Sequence, residues 1–245
     1  MTNFFHDESD NQLSTSYAHS HFKEHCREII VANHYTAICE LGGGRRPLFE
    51  LDEIHELGVD YTILDVSQHE LDLAPEGYKK VCADICSSEV AGSYDFVFSR
   101  LLAEHVPDGD VMHQNVRKLL RDGGTAFHFF PTLYHPAFVL NWLAPEWITR
   151  RAIPVLTPFR HRESKFPAHY SQCYGPTRKM FSHFADLGYI VQKYRPFYGT
   201  NYLTRVPVMR LAEDKFSRRA ARRRSPLFSS FAWLILRKPD ALSGS

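Results

Sequence analysis

The chain has 245 residues, 44% of them hydrophobic, which suits one α/β domain with an insertion. Its five cysteines form no Cys-x-x-Cys pair, and the amino terminus lacks a basic segment followed by an apolar core. These features exclude a disulfide-stapled secreted scaffold and predict a cytoplasmic location. No stretch approaches the roughly 18 to 20 apolar residues of a membrane-spanning helix.

Charge is distributed unevenly, although the formal net charge is only +1. Residues 1–100 carry 7 Lys and Arg against 18 Asp and Glu, a net of −11, whereas residues 101–245 carry 22 against 10, a net of +12. The basic half indicates an anionic substrate or surface, and a set of solvated faces explains it equally well.

The amino-terminal part predicts one helix. Residues 1–16 are polar and predict a flexible segment, and apolar residues then recur at helical spacing over 17–32. The string at 21–25 reads His-Phe-Lys-Glu-His and matches the H-x-x-E-H pattern of zinc proteases. Such a site needs a third protein ligand and a long catalytic helix, and five-letter strings arise by chance. We therefore predict no metal here.

The stretch 37–44 reads Ala-Ile-Cys-Glu-Leu-Gly-Gly-Gly and predicts a buried strand that ends in a nucleotide-binding turn. Glycine tolerates positive φ and has no Cβ, so a ligand can lie against the backbone. The dinucleotide pattern G-x-G-x-x-G would place its third glycine at Pro47, and this weakens an NAD site.

Acidic residues end two further predicted strands. The run 61–65 ends at Asp65, about twenty residues past the glycines, where nucleotide-binding folds place the acid that binds ribose hydroxyls. The run 81–85 supplies Asp84. Between the glycines and the second strand, residues 45–58 predict a crossover helix with Pro47 in its first turn and Gly58 after its end.

Strands and helices continue to alternate: a strand at 94–99, a helix at 110–120, a Gly-Gly stop and a buried strand to residue 130. This rhythm predicts a parallel sheet wound on both faces, with ligands at the carboxyl ends of the strands. Gly42, Asp65, Asp84 and Ser99 all fall at such ends.

The string Glu40-Leu41-Gly42-Gly43-Gly44 resembles motif I of the class I S-adenosylmethionine-dependent methyltransferases, and residues 36–131 follow that family's order of elements. The resemblance implies a single α/β, doubly wound sandwich around a mostly parallel seven-stranded sheet with an antiparallel last strand. It implies a domain at 17–245, in which the amino-terminal helix precedes the cofactor-binding core at 36–131. A helical substrate cap follows strand 5 at 132–175, and 176–245 completes the sheet.

The resemblance also implies the cofactor S-adenosylmethionine, with S-adenosylhomocysteine as product. The glycines would line its methionine part, with Glu40 near the ammonium group, Asp65 on the ribose and Asp84 on the adenine amine. The residues assigned to the cofactor are Tyr17, Glu40, Gly42, Gly43, Gly44, Asp65, Val66, Asp84, Ile85, Ser99 and Arg100.

Residues 100–106 resemble the Leu-Glu-His-Val segment of the small-molecule branch, with Ala103 where leucine is common. The resemblance implies that His105 is the catalytic base, a role that an imidazole side chain can perform. The alternative is that His105 only packs against neighbouring residues. The candidate substrate-binding residues are His169, Tyr170, Tyr174 and Tyr198.

The predicted function is methyl transfer to a small molecule, or to a glycan or lipid precursor, with oxygen as the predicted acceptor atom. The alternatives are an RNA methyltransferase, an NAD(P)-dependent oxidoreductase and a methyltransferase-like partner protein without turnover. The basic block 218–224 suits phosphates of RNA or of an anionic membrane, and it equally suits a solvated helix face. The sequence does not specify the acceptor, the methylated atom or the oligomeric state.

Overall fold

The computed structural model describes residues 10–87, 90–136, 138–139, 168–200 and 207–241. Within them a single sheet has the strand order β3-β2-β1-β4-β5-β7-β6. The strands are β1 (Ala37–Leu41), β2 (Asp60–Asp65), β3 (Lys79–Cys82), β4 (Tyr94–Arg100), β5 (Leu120–Pro131), β6 (Ile190–Phe197) and β7 (Phe231–Arg237). The first five pair in parallel, and β7 lies antiparallel between β5 and β6. The predicted fold class is confirmed.

The described helices flank this sheet. They are α1 (Thr15–Ala32), α2 (Leu51–Leu57), α3 (Gln68–Asp72), α4 (Gly109–Leu119), α5 (Arg178–Asp186) and α6 (Pro207–Arg222), with short 3-10 turns at Asp10–Leu13, Ala103–His105 and Pro226–Phe228. Side-chain oxygens of Ser14, Asp108 and Thr177 accept hydrogen bonds from amides in the first turns of α1, α4 and α5. These caps fix where the three helices begin. None of the described helices is both long and apolar enough to cross a membrane.

The crossover helix predicted at 45–58 is wrong at its start. Helix α2 begins only at Leu51, where Glu50 and Glu53 form a capping box, so Pro47 lies in the preceding turn. The Leu48 amide donates to the buried carboxylate of Glu40 at 2.9 Å, which removes it from any helical ladder. Gly58 does follow the end of α2, at φ +65°.

Two apolar layers cover the sheet because successive strand residues point to opposite faces. Helix α1 packs Ala18, Phe22, Cys26 and Ile30, spaced four residues apart, against one face. The apolar side of α4 packs against the other face. Both layers are needed to bury a seven-stranded sheet, and this leaves the carboxyl edge of the parallel strands as the accessible ligand edge.

Hydrogen bonds tie the start of α1 to this carboxyl edge. The Tyr198 amide donates to the Leu13 carbonyl at 2.8 Å, and the Thr15 amide donates to the Tyr198 carbonyl at 3.0 Å. The predicted flexible segment 1–16 therefore includes ordered residues from 10 onward, while 1–9 lie outside the described residues. Most of the predicted cap at 132–175 also lies outside them, at 137 and 140–167.

Candidate cofactor and acceptor site

The turn after β1 requires its glycines. Gly42 and Gly44 have φ values of +73° and +46°, which disfavour residues with a Cβ. Gly43 has no such φ, but a Cβ there would lie 2.9 Å from Glu40 Cδ and 2.9 Å from Ile63 Cγ2. The turn is thus packed against the strands beneath it, and its backbone forms the surface that a ligand would contact.

Glu40 supports this turn from below. Its side chain is 2% exposed, and Oε2 accepts hydrogen bonds from the Leu48 amide at 2.9 Å and from the Tyr61 hydroxyl at 2.5 Å. Burial raises the pKa of the carboxyl, while these two donors lower it. Glu40 therefore links β1, β2 and the loop before α2. Its predicted contact with the cofactor's ammonium group stays a prediction.

Two substitutions separate these roles. Glu40→Leu is expected to lower the free energy of unfolding by about 2 to 4 kcal/mol, because it leaves two buried donors without an acceptor. Glu40→Gln keeps a carbonyl oxygen for both donors and is expected to retain nearly native stability and cofactor affinity. Chemical denaturation and calorimetric titration measure the two quantities. A tenfold loss of affinity in a stable Gln variant would instead establish direct contact of the Glu40 charge with the cofactor.

Asp65 ends β2 beside the glycine turn. Its Oδ1 accepts a hydrogen bond from the Ser67 amide at 2.9 Å, and a Cβ on Gly44 would lie 3.2 Å from Oδ2. Burial raises the pKa of the carboxyl, opposed by the backbone amides that donate to it. The next residue, Val66, is 64% exposed. An acid beside the turn suits the ribose contact predicted for Asp65, and Val66 next to it could contact the cofactor as predicted; both contacts stay predictions.

Asp84 and Ile85 follow β3, which ends three residues before the end of the predicted 81–85 run. Asp84 is exposed, and its Oδ1 accepts a hydrogen bond from the Cys86 amide at 2.8 Å. Ile85 is buried, and its carbonyl accepts from Asn115 Nδ2 of α4 at 2.8 Å. The loop is thus held against α4 while the Asp84 side chain faces solvent at the carboxyl edge.

Ser99 and Arg100 end β4 on opposite faces of the sheet. Ser99 is fully buried, and its Oγ lies 2.8 Å from Nδ1 of His128 on β5. Arg100 is exposed. Ser99 therefore connects two central strands from within, and the contact of either residue with the cofactor stays a prediction.

The His128 ring also contacts His113 of α4, with ring centroids 5.1 Å apart. Burial lowers the pKa of His128 to about 4 and lowers that of His113 well below its ordinary value. Sequence reasoning missed this pair. The spacing of residues in β5 was an available signal. His128 lies two residues from Ala126 and two from Phe130, so all three point to the same buried face.

Tyr17 lies far along the sheet from the glycine turn. Its ring stacks on His21 with centroids 3.9 Å apart, and the Arg195 guanidinium carbon lies 4.8 Å from its centroid. The ring also approaches Phe197 of β6 and Trp233 of β7. Those strands are three and four positions from β1, roughly 14 to 19 Å at the usual strand spacing. A role of Tyr17 at the cofactor stays a prediction.

The segment after β4 packs on the glycine turn. A Cβ on Gly42 would lie 2.9 Å from Leu102 Cδ1, so this segment packs directly on the turn. His105 follows three residues later with its side chain 35% exposed, and its Nε2 lies 3.7 Å from Oε1 of the buried Glu104. The Glu104 carbonyl accepts hydrogen bonds from the amides of His169 at 2.7 Å and Tyr170 at 3.2 Å.

The other two candidate substrate residues lie elsewhere. The Tyr174 carbonyl accepts a hydrogen bond from the Leu133 amide at 3.0 Å, which places it just past the end of β5. Tyr198 is buried beside Leu13 and Ala220, where burial raises the pKa of its hydroxyl. The backbone of His169 and Tyr170 is thus tied to the turn that contains His105, whereas Tyr198 lies in a separate cluster with Leu13 and Ala220. Among the residues that the structure describes, no cluster of His, Cys, Asp and Glu could hold a metal ion.

Comparisons with known proteins identify one matching domain. A family model for a methyltransferase domain matches residues 40–128. No curated protein matches the chain.

Among solved structures, the [4+2]-cyclase SpnF gives a TM-score of 0.59 at 14% identity, with 96% of this chain and 86% of that chain covered. An S-adenosylmethionine-dependent methyltransferase from Mesorhizobium loti gives 0.51 at 16% identity, with 83% and 90% covered. Magnesium protoporphyrin IX methyltransferase from Synechocystis PCC 6803, solved with bound S-adenosylhomocysteine, gives 0.52 at 12% identity, with 96% and 90% covered.

The sheet order, the glycine turn after β1 and the carboxylate after β2 define a Rossmann-like nucleotide-binding methyltransferase fold. Residues 40–128 thus match a methyltransferase domain, and the fold is that of the S-adenosylmethionine-dependent methyltransferases among these solved structures. The residues around the glycine turn fit S-adenosylmethionine, the cofactor expected from the sequence.

Proposed function

We propose that the enzyme transfers the methyl group to an oxygen of a small molecule, or of a glycan or lipid precursor. One observation carries this proposal: the segment that contains His105 packs on the glycine turn through Leu102, and its Glu104 carbonyl accepts hydrogen bonds from the amides of His169 and Tyr170. An acceptor between the turn and this segment would lie beside a partly exposed imidazole. Aromatic and imidazole side chains suit a compact organic acceptor.

The roles of the residues follow from this arrangement. The bound cofactor supplies a methyl group on a positively charged sulfur, which is already reactive toward a nucleophile. The chain must then orient the acceptor, exclude water and take a proton from a hydroxyl. We assign proton removal to His105, whose Nε2 lies 3.7 Å from the buried carboxylate of Glu104. We assign positioning of the acceptor to His169, which is exposed.

Labelling tests the acceptor class. The purified protein is incubated with S-adenosylmethionine carrying a ¹³C or tritiated methyl group and with fractions of a cell extract. The proposal expects label in small or lipid-soluble products that resist nuclease and protease. The ¹³C chemical shift of the product then distinguishes methylation at oxygen from nitrogen or carbon. Nuclease-sensitive label would contradict the proposal and support the RNA alternative, and turnover with a nicotinamide cofactor would support an oxidoreductase.

His105→Gln is expected to lower kcat by about 10² to 10⁴, the usual contribution of a general base, because glutamine keeps polarity but takes no proton. Affinity for S-adenosylhomocysteine should change less than twofold, as measured by calorimetry. His169→Gln is the matched control, an exposed histidine whose amide donates to the Glu104 carbonyl. It should raise KM with a smaller effect on kcat. An unchanged kcat and an unchanged kcat–pH profile in His105→Gln would assign His105 to packing.

A further inference from the structure

Helix α6 carries a basic stripe on the side that faces away from the core. Leu211, Lys215, Arg218 and Arg222 are spaced by four, three and four residues, and this spacing places them on one side of a helix. All four are exposed. The opposite side of α6 contributes Glu213, Ser217 and Ala220, which are buried. Helix α6 is thus fixed on the protein by one side and presents the stripe to solvent.

The charge on this stripe is not neutralised locally. Residues 207–228 contain seven Lys and Arg against two Asp and Glu, a net charge of +5. One of the two acids, Glu213, is buried and accepts a hydrogen bond from the Thr200 amide at 2.7 Å. Lys215, Arg218 and Arg222 form no ion pair with any residue in the described part of the chain. Their charges therefore remain available to an external anion.

Exposed apolar side chains precede and follow the arginines along the chain. Leu211 heads the stripe and is 54% exposed, and the 3-10 turn after α6 presents Leu227 at 39% and Phe228 at 41%. We call these six residues the α6 surface: Leu211, Lys215, Arg218, Arg222, Leu227 and Phe228. Solvent-exposed large apolar side chains near several arginines are typical of a surface that binds a membrane or another molecule.

The α6 surface lies at the carboxyl edge of the sheet. Just after Phe228, the Ser229 carbonyl accepts a hydrogen bond from Thr132 Oγ1 at 2.5 Å, and the Ser230 amide donates to the Phe197 carbonyl at 2.8 Å. Thr132 and Phe197 stand at the ends of β5 and β6. The glycine turn follows β1 at this same edge, so whatever binds the α6 surface also lies on the cofactor's side of the molecule.

We propose that the α6 surface docks the protein on an anionic lipid bilayer. Arg and Lys would pair with lipid phosphates, while Leu211, Leu227 and Phe228 enter the interfacial region. A single-stranded RNA site would share the phosphate contacts, but it stacks bases on several aromatic side chains, and Phe228 is the only aromatic among the six. The two exposed leucines gain from hydrocarbon and gain little from RNA, which favours the bilayer.

This proposal does not depend on methyl transfer, because docking needs neither cofactor nor acceptor. If both proposals hold, the acceptor is carried at the membrane surface, within reach of the carboxyl edge. Sedimentation of the full chain with vesicles, in the absence of cofactor, tests docking alone. A failure to sediment would leave the labelling result untouched, and the reverse also holds.

The expected result is binding to mixed phosphatidylcholine–phosphatidylglycerol vesicles, weak binding to pure phosphatidylcholine vesicles, and loss of binding as salt is added. The double variant Arg218→Gln/Arg222→Gln should lower partitioning about 30-fold, from the usual contribution of a basic residue near an anionic surface. Leu227→Ser should lower it about fivefold by removing apolar area. Neither variant touches the cofactor turn, so S-adenosylhomocysteine affinity serves as the check on folding.

The matched control variants remove the same kinds of side chain from other parts of the protein surface. Arg178→Gln/Lys179→Gln removes two exposed charges from α5, and Val31→Ser removes an apolar side chain that is 56% exposed near the end of α1. Both should bind vesicles like the parent protein. The proposal is overturned by absent binding, by equal binding to neutral vesicles, or by equal losses in the controls. It is also overturned if the α6 variants lose affinity for RNA while vesicle binding stays absent.

Discussion

Gly43→Ala is expected to reduce affinity for S-adenosylmethionine more than tenfold and to lower the free energy of unfolding by about 1 to 3 kcal/mol, the usual effect of overpacking. The added Cβ would lie 2.9 Å from both Glu40 Cδ and Ile63 Cγ2. Glu40 cannot withdraw without breaking its bonds to the Leu48 amide and the Tyr61 hydroxyl. The turn must therefore lift, and its backbone amides move away from the ligand position.

Gly58→Ala is the control for this substitution. Gly58 has φ +65°, and a Cβ there would meet nothing within 4 Å. It should cost about 1 kcal/mol of stability through backbone strain and leave cofactor affinity unchanged. Calorimetric titration and denaturant unfolding on both variants give the comparison. Equal affinities in Gly43→Ala and Gly58→Ala would mean that the turn does not position the cofactor.

Lowering the pH is expected to destabilise the protein at pH values well above those at which carboxylates become protonated. Burial lowers the pKa of His128 and of His135 to about 4 in the folded chain, from an ordinary 6.5. A histidine whose folded pKa lies below its unfolded pKa takes up a proton on unfolding. Stability is therefore full above pH 6.5 and falls as the pH falls toward 4. His128 alone should cost about 2 kcal/mol at pH 5.

Denaturant unfolding between pH 7.5 and pH 4.5 measures this loss. His113→Phe should flatten the curve, because it removes a buried imidazole whose pKa is lowered by burial and by His128 while an aromatic ring still packs on Phe184. His55→Gln removes an exposed imidazole from α2 and should leave the curve as it is. A flat profile in the parent protein would show that the buried histidines are not the cause, and the same slope in His113→Phe would show that His113 does not contribute.

Local patterns in the sequence predicted most of the fold. The glycines, Asp65 and the alternation of strands and helices are short-range signals, and the sheet order confirmed the fold class that the alternation indicated. The cofactor contacts of the glycines and Asp65 stay predictions. Caps were less visible. The start of α2 at Leu51 depends on a buried hydrogen bond between Glu40 and Leu48, eight residues apart, and no periodicity records that bond.

The positions of residues that follow a single strand could be predicted from the sequence. Contacts between residues on distant strands could not. The direction of the Glu40 carboxylate is set by Tyr61 on the neighbouring strand. Tyr17 is drawn to β6 and β7 by Arg195, Phe197 and Trp233, residues nearly 180 or more positions away. His128 and Ser99 pair across 29 residues. Each contact depends on tertiary packing, which no stretch of sequence expresses by itself.

The insertion of β7 between β5 and β6 has a consequence for how the chain reaches this structure. Strand β6 is hydrogen-bonded to β7 and to no other named strand, so residues 190–197 cannot join the sheet until residues 231–237 are in place. Until then the edge of β5 is open to pairing with other chains. The contacts that close the sheet span long sequence separations, and folding should be correspondingly slow. A newly made chain would therefore gain from a chaperone that shields β5 during this interval.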